Sequence, residues 1–520
     1  MNLQLSIRTV AIIVACICAW AWMDLPVVNH PLGSDWGHYF TAAEFIWMPS
    51  EGVAYPDFRK PWFGWILGGL GSMIGYLDAA LLLGRLSMVC LIGSAALLGA
   101  ALGNRWAGLA AAATVPMMPL VMDGALWVNH YPLLSAMVGL SFAAGAAACR
   151  WPSLGWVALA AFASGAALAL DLRGSIGPVA VLALVALGSL GEKPARILVR
   201  LGLFGLVFGM VSAHDSWLQT AFDVPQLEFE QQLQVQRRGT LQQIQQGTFA
   251  NVGLEQACAS EREQSFSIDA AFSECGHALR SSGHARLAQL GLLPPAALMW
   301  IAVVGLIPAR DPKRWAWVRS VGMSATVFGG ACLSLWVGMS WVTYFDRYVM
   351  PMSVVMAVAA PVAFARVATW SRLIPAWLAA LGGVAFALWG FPGHGARDLD
   401  APEKARSSEY HAGEFARWAQ TSVSEQDHVL DCAGLAVDSL LLPRRINYMR
   451  FPPGDDDCVA RMRSPGTTQG TFYLITMHRD IPPHLSPASL PFNAAAIAQL
   501  GFEPVDHDLN LEGYRLWSKR

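Results

Sequence analysis

The sequence predicts an α-helical polytopic membrane protein of about eleven transmembrane helices, followed by a small α/β domain. Three observations predict it. Hydrophobic residues make up 54% of the chain against 14% charged, with a mean hydropathy of +0.40, which no ordinary soluble domain shows. Apolar runs near the length needed to cross a bilayer recur as far as about residue 391. From about Pro392 the pattern changes to short alternating segments of strand and helix character. The formal net charge is -2, and the basic residues are scattered singly instead of forming a stripe, so no nucleic-acid partner is implied.

The first apolar run, Val10 to Met23 behind Arg8, reads as an uncleaved first span. Further runs lie at about 82–102, 106–122, 131–149, 153–170, 175–191, 200–213, 288–307, 318–339, 349–365 and 373–391. With the N-terminus inside, the cytoplasmic turns hold Arg105, Arg150, Lys193, Arg196, Arg200, Arg310, Lys313, Arg314, Arg319, Arg366 and Arg372, as the positive-inside rule requires. That orientation puts residues 24–81, the loop 214–287 and the tail on the outer face. The expected division is a transmembrane domain over 1–391 and an outer α/β domain over 392–520. In the tail, "HVLDCAG", "RINYMRF", "TFYLITM" and "YRLWSK" read as strands, and "SEYHAGEFARWAQ" and "NAAAIAQLG" as helices. Two cysteine pairs fall in segments assigned to the outside, Cys258 with Cys275 and Cys432 with Cys458, and are candidate disulfides of an oxidising compartment.

Several charges depart from this pattern. Arg173 lies beside Asp171 between two spans, and Arg347 beside Asp346 between two more, both on the face where basic residues are scarce. Each either faces a cavity or a partner, or pairs with its neighbouring acid or snorkels to the interface. The stretch after the first span, "SDWGHYFTAAEFI", carries Asp35 and His38 and places His38, Tyr39, Ala42 and Phe45 at helical spacing, which suits an interfacial helix. A second such helix opens at Pro61, behind Arg59 and Lys60. A carboxylate, an imidazole and cations beside a lipid-accessible cleft suit chemistry on a lipid phosphate: cations neutralise the leaving phosphate, and the carboxylate acts as general base or orients the acceptor. The alternative is a polar interfacial loop without chemistry.

These motifs in this order resemble the GT-C superfamily of polyprenyl-phosphate-dependent glycosyltransferases, particularly the branch of aminoarabinose transferase and the protein O-mannosyltransferases. The carriers are Asp35-Trp36-Gly37-His38-Tyr39 after the first span, Lys60-Pro61, Arg85-Leu86, the turn with Arg173-Gly174 and Gly177-Pro178, and Arg347-Tyr348-Val349-Met350-Pro351. The resemblance implies inverting transfer of a sugar from a polyprenyl-phosphate donor to an envelope lipid, glycan or protein. It places the chain in a bacterial inner membrane, with its N-terminus cytoplasmic and its C-terminal domain periplasmic. Asp35 would be the catalytic carboxylate. Lys60 and Arg347, with Arg59, His38 and Arg173, would hold the donor phosphate.

Two departures from the family pattern stand out. Trp36 replaces an acid after Asp35, and the segment before the fourth span reads "DGALWVNHYPLL", so His130, Asn129 and Tyr39 are the candidates for the acceptor site. No His/Cys/Asp cluster has metal-ligand spacing, which leaves a divalent metal open and no cofactor certain. Two other readings compete. "GHARLAQLGLLP", with His284 and Leu287, and with Arg280 and Arg286 on either side of the His, has the flavour of an O-antigen ligase; a non-catalytic scaffold of polysaccharide assembly is the third.

Overall fold

The computed structural model describes residues 6–25, 36–47, 60–224, 241, 256–258, 273–289, 314–341, 350–371, 374–390, 415, 418–419, 421–424, 426–432, 447–450, 462, 470–477, 494–505 and 514–519. The chain is mostly helical. In order come α1 (Ile7–Asp24), α2 (Trp36–Trp47), α3 (Pro61–Ile74), α4 (Tyr76–Leu102), α5 (Arg105–Thr114), α6 (Pro119–Gly124), α7 (Tyr131–Arg150), α8 (Leu154–Leu170), α9 (Ile176–Gly188) and α10 (Pro194–Ala221). Helices Glu274–Gln289, Arg314–Ser324, Gly330–Trp341, Ser353–Ser371 and Ala376–Gly390 follow. Among the described residues six helical stretches are long and apolar enough to cross a membrane: α1, α4, α7, α10, Val318–Trp336 and Met350–Ala368. Leu154–Leu170, Arg173–Gly188 and Ala376–Phe386 are shorter apolar helices.

Two expected spans differ in detail, and a third is not described over most of its length. The run 106–122 is not one helix: α5 stops at Thr114, a 3-10 turn occupies Val115–Met117, and α6 starts at Pro119. Pro116 and Pro119 have no N–H to continue the α-helical ladder, so the chain turns there. Helix α10 extends past the expected 200–213 at both ends and carries His214 and Asp215 inside its last turns. The expected span 288–307 falls, beyond Gln289, outside the described residues.

Packing divides the chain into two compact units. The first comprises Met1–Pro26, Asp57–Phe63 and Leu82–Ala396. In it α8 packs on α7, α9 and α10, and α7 on α9. Small residues permit the close approach, as membrane helices require. A side-chain carbon added at Gly165 would lie 2.9 Å from Val211 Cβ, one at Gly139 would lie 2.6 Å from Val354 Cγ2, and one at Gly145 would lie 3.0 Å from Leu184 Cδ1. The stretch Arg314–Trp341 contains one π-helical turn, Ala325–Gly329, between its two α-helical parts. The predicted disulfide Cys258–Cys275 is present and packs with Leu241 and Leu279.

The second unit comprises Val27–Pro56, Gly64–Leu81 and Arg397–Arg520. Trp47 of α2 lies across Gly68 and donates its indole N–H to the Trp65 carbonyl at 2.8 Å. The tail forms a five-stranded sheet in the order β2-β1-β3-β5-β4, with β1 His428–Asp431, β2 Asn447–Arg450, β3 Phe472–Met477, β4 Glu503–Pro504 and β5 Tyr514–Lys519. β1 runs parallel to β2 and β3, and β5 antiparallel to β3 and β4. Leu430, Leu474, Ile497, Phe502 and Trp517 form its core. The four longer strands and helix Ala494–Gln499 fall where the alternating pattern predicts them. Cys432, directly after β1, is disulfide-bonded; Cys458 lies outside the described residues.

Asp427 ties the entry of β1 to that of β3, accepting from the backbone N–H of Ser424 and of Thr471, each at 2.7 Å. Burial raises its pKa, but these backbone donors more than offset that and hold the carboxyl below its ordinary value. A carboxylate with a depressed folded pKa stabilises the fold above its unfolded pKa of about 3.9, and the contribution disappears as pH falls through the folded value. Asp427→Asn is therefore expected to increase hydrogen exchange of the β1 and β3 amides at neutral pH. As pH falls below the ordinary carboxylate value of about 3.9 and through the lower folded value, the difference from wild type, corrected for intrinsic rates, should shrink.

Candidate functional site

Two clusters of charged groups in the first unit lie around the C-terminal end of α8 and share its last residues. A helix end exposes carbonyls with no intrahelical partner and the negative pole of the helix dipole, so cations are favoured there. Lys60, just before α3, occupies this position: its Nζ donates to the Leu168 carbonyl at 2.6 Å and to Asp215 Oδ2 at 3.2 Å. The ion pair is largely withdrawn from solvent, with side-chain exposures of 15% for Lys60 and 9% for Asp215. Gln219, one turn on in α10, donates to the same Asp215 oxygen at 2.9 Å. Asp215 Oδ1 is buried and accepts no hydrogen bond among the described residues. Beside this pair, the Trp62 indole N–H donates to His214 Nδ1 at 3.1 Å.

The second cluster hangs on Asp171, which caps both the end of α8 and the 3-10 turn Leu172–Ser175. Its Oδ1 accepts from the Arg173 backbone N–H at 2.8 Å, and its Oδ2 meets His130 Nε2 at 3.0 Å and Arg173 Nη1 at 3.5 Å. Burial pushes the Asp171 carboxyl up, yet the Arg173 guanidinium, together with His130 and the Arg173 N–H, holds it well below the usual carboxylate range. Asp171 is thus an anion that organises two proton-bearing side chains. Arg173 also donates to the Tyr131 hydroxyl and lies over that ring, 5.6 Å from its centroid. Phe63 is edge-on to His130 at 6.5 Å between ring centroids.

Of the sequence-predicted residues, the structure therefore brings Lys60, Arg173 and His130 to one helix end. Of the two readings open for Arg173, the pairing with Asp171 is observed, and its side chain retains 23% exposure. Asn129 is buried and accepts from the Tyr131 N–H at 3.0 Å, so its amide holds the turn that presents His130. Tyr39 is buried within the second unit. His38 lies in α2, and Asp35, Arg59 and Arg347 lie outside the described residues. Sequence reasoning missed Asp215, His214 and Gln219, because the apolar run was ended at residue 213. Nothing in the local sequence marks Asp215 as lying inside the helix, since an acid after an apolar run is the ordinary start of a loop. Among the described residues no group of three or more His, Cys, Asp or Glu side chains is placed to hold a metal ion.

No family model matches this chain, and no curated protein sequence does. Among solved structures the chain is similar to apo ArnT from Cupriavidus metallidurans, with 13% identity, a TM-score of 0.44, and coverage of 98% of this chain and 97% of that one. It is similar also to the same protein bound to undecaprenyl phosphate, with 15% identity, a TM-score of 0.40 and coverage of 99% and 98%. The apo oligosaccharyltransferase of Archaeoglobus fulgidus matches with 12% identity, a TM-score of 0.41 and coverage of 91% and 70%.

The turn that carries Arg173 leaves no room for a side chain at the next residue. A Cβ at Gly174 would lie 2.2 Å from the Ala167 carbonyl oxygen and 2.3 Å from its carbon. Backbone cannot yield as a flexible side chain does, so Gly174→Ala is expected to cost about 3 kcal/mol, at the upper end of overpacking. A thermal melt of the detergent-solubilised chain checks this, with Gly93→Ala, inside α4 and meeting no atom within 4 Å, as the control that should lose no stability.

Proposed function

We propose that this chain is a membrane glycosyltransferase that moves a sugar from a polyprenyl-phosphate donor to an envelope lipid, glycan or protein at the extracytoplasmic face of a bacterial inner membrane. The observation that carries the reading is the gathering of Lys60, Arg173 and His130 at the C-terminal end of α8, inside a body of membrane-length apolar helices. Ionisable groups in such a body are costly and mark functional sites by default. Among the described residues Lys60 has one ammonium N–H beyond its two bonds, and the Arg173 guanidinium brings a second cation to the same helix end. Both suit phosphate oxygens.

The motif resemblance supplies the remaining roles. Asp35 takes the proton of the acceptor hydroxyl as that oxygen attacks the anomeric carbon from the face opposite the phosphate. The bond from that carbon to the phosphate oxygen breaks with its electron pair remaining on the phosphate, and the configuration inverts. Lys60 and Arg347, assisted by Arg59, His38 and Arg173, stabilise the charge that develops on the leaving phosphate. His130 is the candidate to orient the acceptor hydroxyl.

The test is binding of undecaprenyl phosphate to the full chain in nanodiscs. Lys60→Ala and Arg347→Ala are each expected to weaken binding by roughly 1.5–3 kcal/mol, the range for a hydrogen bond to a charged group. Because Lys60→Ala strands the Asp215 carboxylate, thermal stability is measured alongside. Asp35→Asn is expected to bind normally and to transfer no sugar from a polyprenyl-phosphate-linked donor. Binding that is indifferent to both cation changes would overturn this assignment.

A further inference from the structure

Asp215 is a buried carboxylate for which the proposed transfer has no step, and its setting is specific. One of its oxygens is shared by the Lys60 ammonium at 3.2 Å and the Gln219 amide at 2.9 Å; the other is buried and accepts no hydrogen bond among the described residues. The ammonium it faces is anchored more closely to a neutral group, the Leu168 carbonyl at 2.6 Å. Gln219 thus gives Asp215 a second hold, and the Leu168 carbonyl gives Lys60 an anchor that does not involve Asp215. Such a carboxylate acts on Lys60 mainly through its charge.

We propose that Asp215 is the resident counter-ion of Lys60, which an incoming lipid phosphate comes to share, and that its negative charge limits how tightly the phosphate is held. The inference rests on the donor-site reading above and deepens it. Without a counter-ion the empty site would hold a largely buried, unpaired ammonium, an expensive arrangement. With Asp215 present, the charge of Lys60 is balanced in the resting protein. A phosphate on the third N–H then feels both the ammonium and the carboxylate behind it.

The carboxylate also discriminates between substrate and product. A polyprenyl-linked sugar phosphate is a phosphodiester with one negative charge. The polyprenyl phosphate left after transfer is a monoester with a charge of about −1.5 to −2 near neutral pH. Repulsion from Asp215 grows with the charge of the ligand, so it falls more heavily on the product and favours its departure. Asp215 is in this sense a positioning residue: it acts on the phosphate through Lys60 and the local field, without touching the reacting atoms.

Charge and geometry are separated by two substitutions in the full chain. Asp215→Asn keeps the size and an acceptor for Lys60 but removes the charge; Asp215→Glu keeps the charge. The probe is undecaprenyl phosphate in nanodiscs, with undecaprenol as the uncharged control. Asp215→Asn is expected to tighten undecaprenyl phosphate binding several-fold and leave undecaprenol unchanged. Asp215→Glu should give no gain, and Lys60→Ala in the Asp215→Asn background should abolish it. A merely structural role for Asp215 does not produce tighter binding in a folded variant. If wild type binds and Asp215→Asn binds equally or more weakly, the counter-ion inference is overturned while the donor site stands. If wild type shows no saturable binding, both fall.

Discussion

The end of α8 is the constraint on which the polar part of this protein depends. Its last carbonyls have no partner within the helix, and in an apolar body water is not at hand to replace one. The sequence supplies two answers side by side. Lys60 reaches the Leu168 carbonyl from a segment more than a hundred residues earlier, and the backbone of Asp171 closes on Ala167. Each answer introduces a charge, and each charge needs a counter-charge. Asp215 is therefore drawn in from α10, and Arg173 and His130 are drawn in around Asp171. The site follows from one unsatisfied helix terminus.

The same logic explains the aromatic company of these groups. Trp62, Phe63, Tyr131 and His214 lie against the ionic pairs. They exclude water while offering an indole N–H, a hydroxyl or a ring edge where an aliphatic side chain would offer nothing. Excluding water strengthens each charge interaction and raises the penalty for any group left without one. Small residues at Gly139, Gly145, Gly165 and Gly174 let the helices approach closely enough for that enclosure to form.

Much of the fold is legible in the sequence, because it depends on local pattern. Apolar length locates α1, α7, α8 and α9, and period-two alternation locates β1, β2, β3 and β5. The boundaries that fail have local chemical causes. Pro116 and Pro119 break a run whose hydropathy is continuous, and α10 continues beyond residue 213 because its polar residues find partners inside the unit instead of ending the helix. The site is legible only in part. Lys60, Arg173 and His130 stand out as charges or imidazoles out of place. Asp215 does not, since it follows an apolar run where a loop is the ordinary continuation, and its partner lies 155 positions away.

The π-helical turn at Ala325–Gly329 carries a consequence for reading and altering this chain. A π turn takes in one residue more than an α turn. At 3.6 residues per turn, that extra residue advances the following helix by about 100°. Residues on either side of it that share one phase by sequence count therefore sit on different faces. Deleting a single residue within Ala325–Gly329 would make the helix regular and so rotate all of Gly330–Trp341 about its own axis, presenting a different stripe to every neighbour without altering one of its side chains.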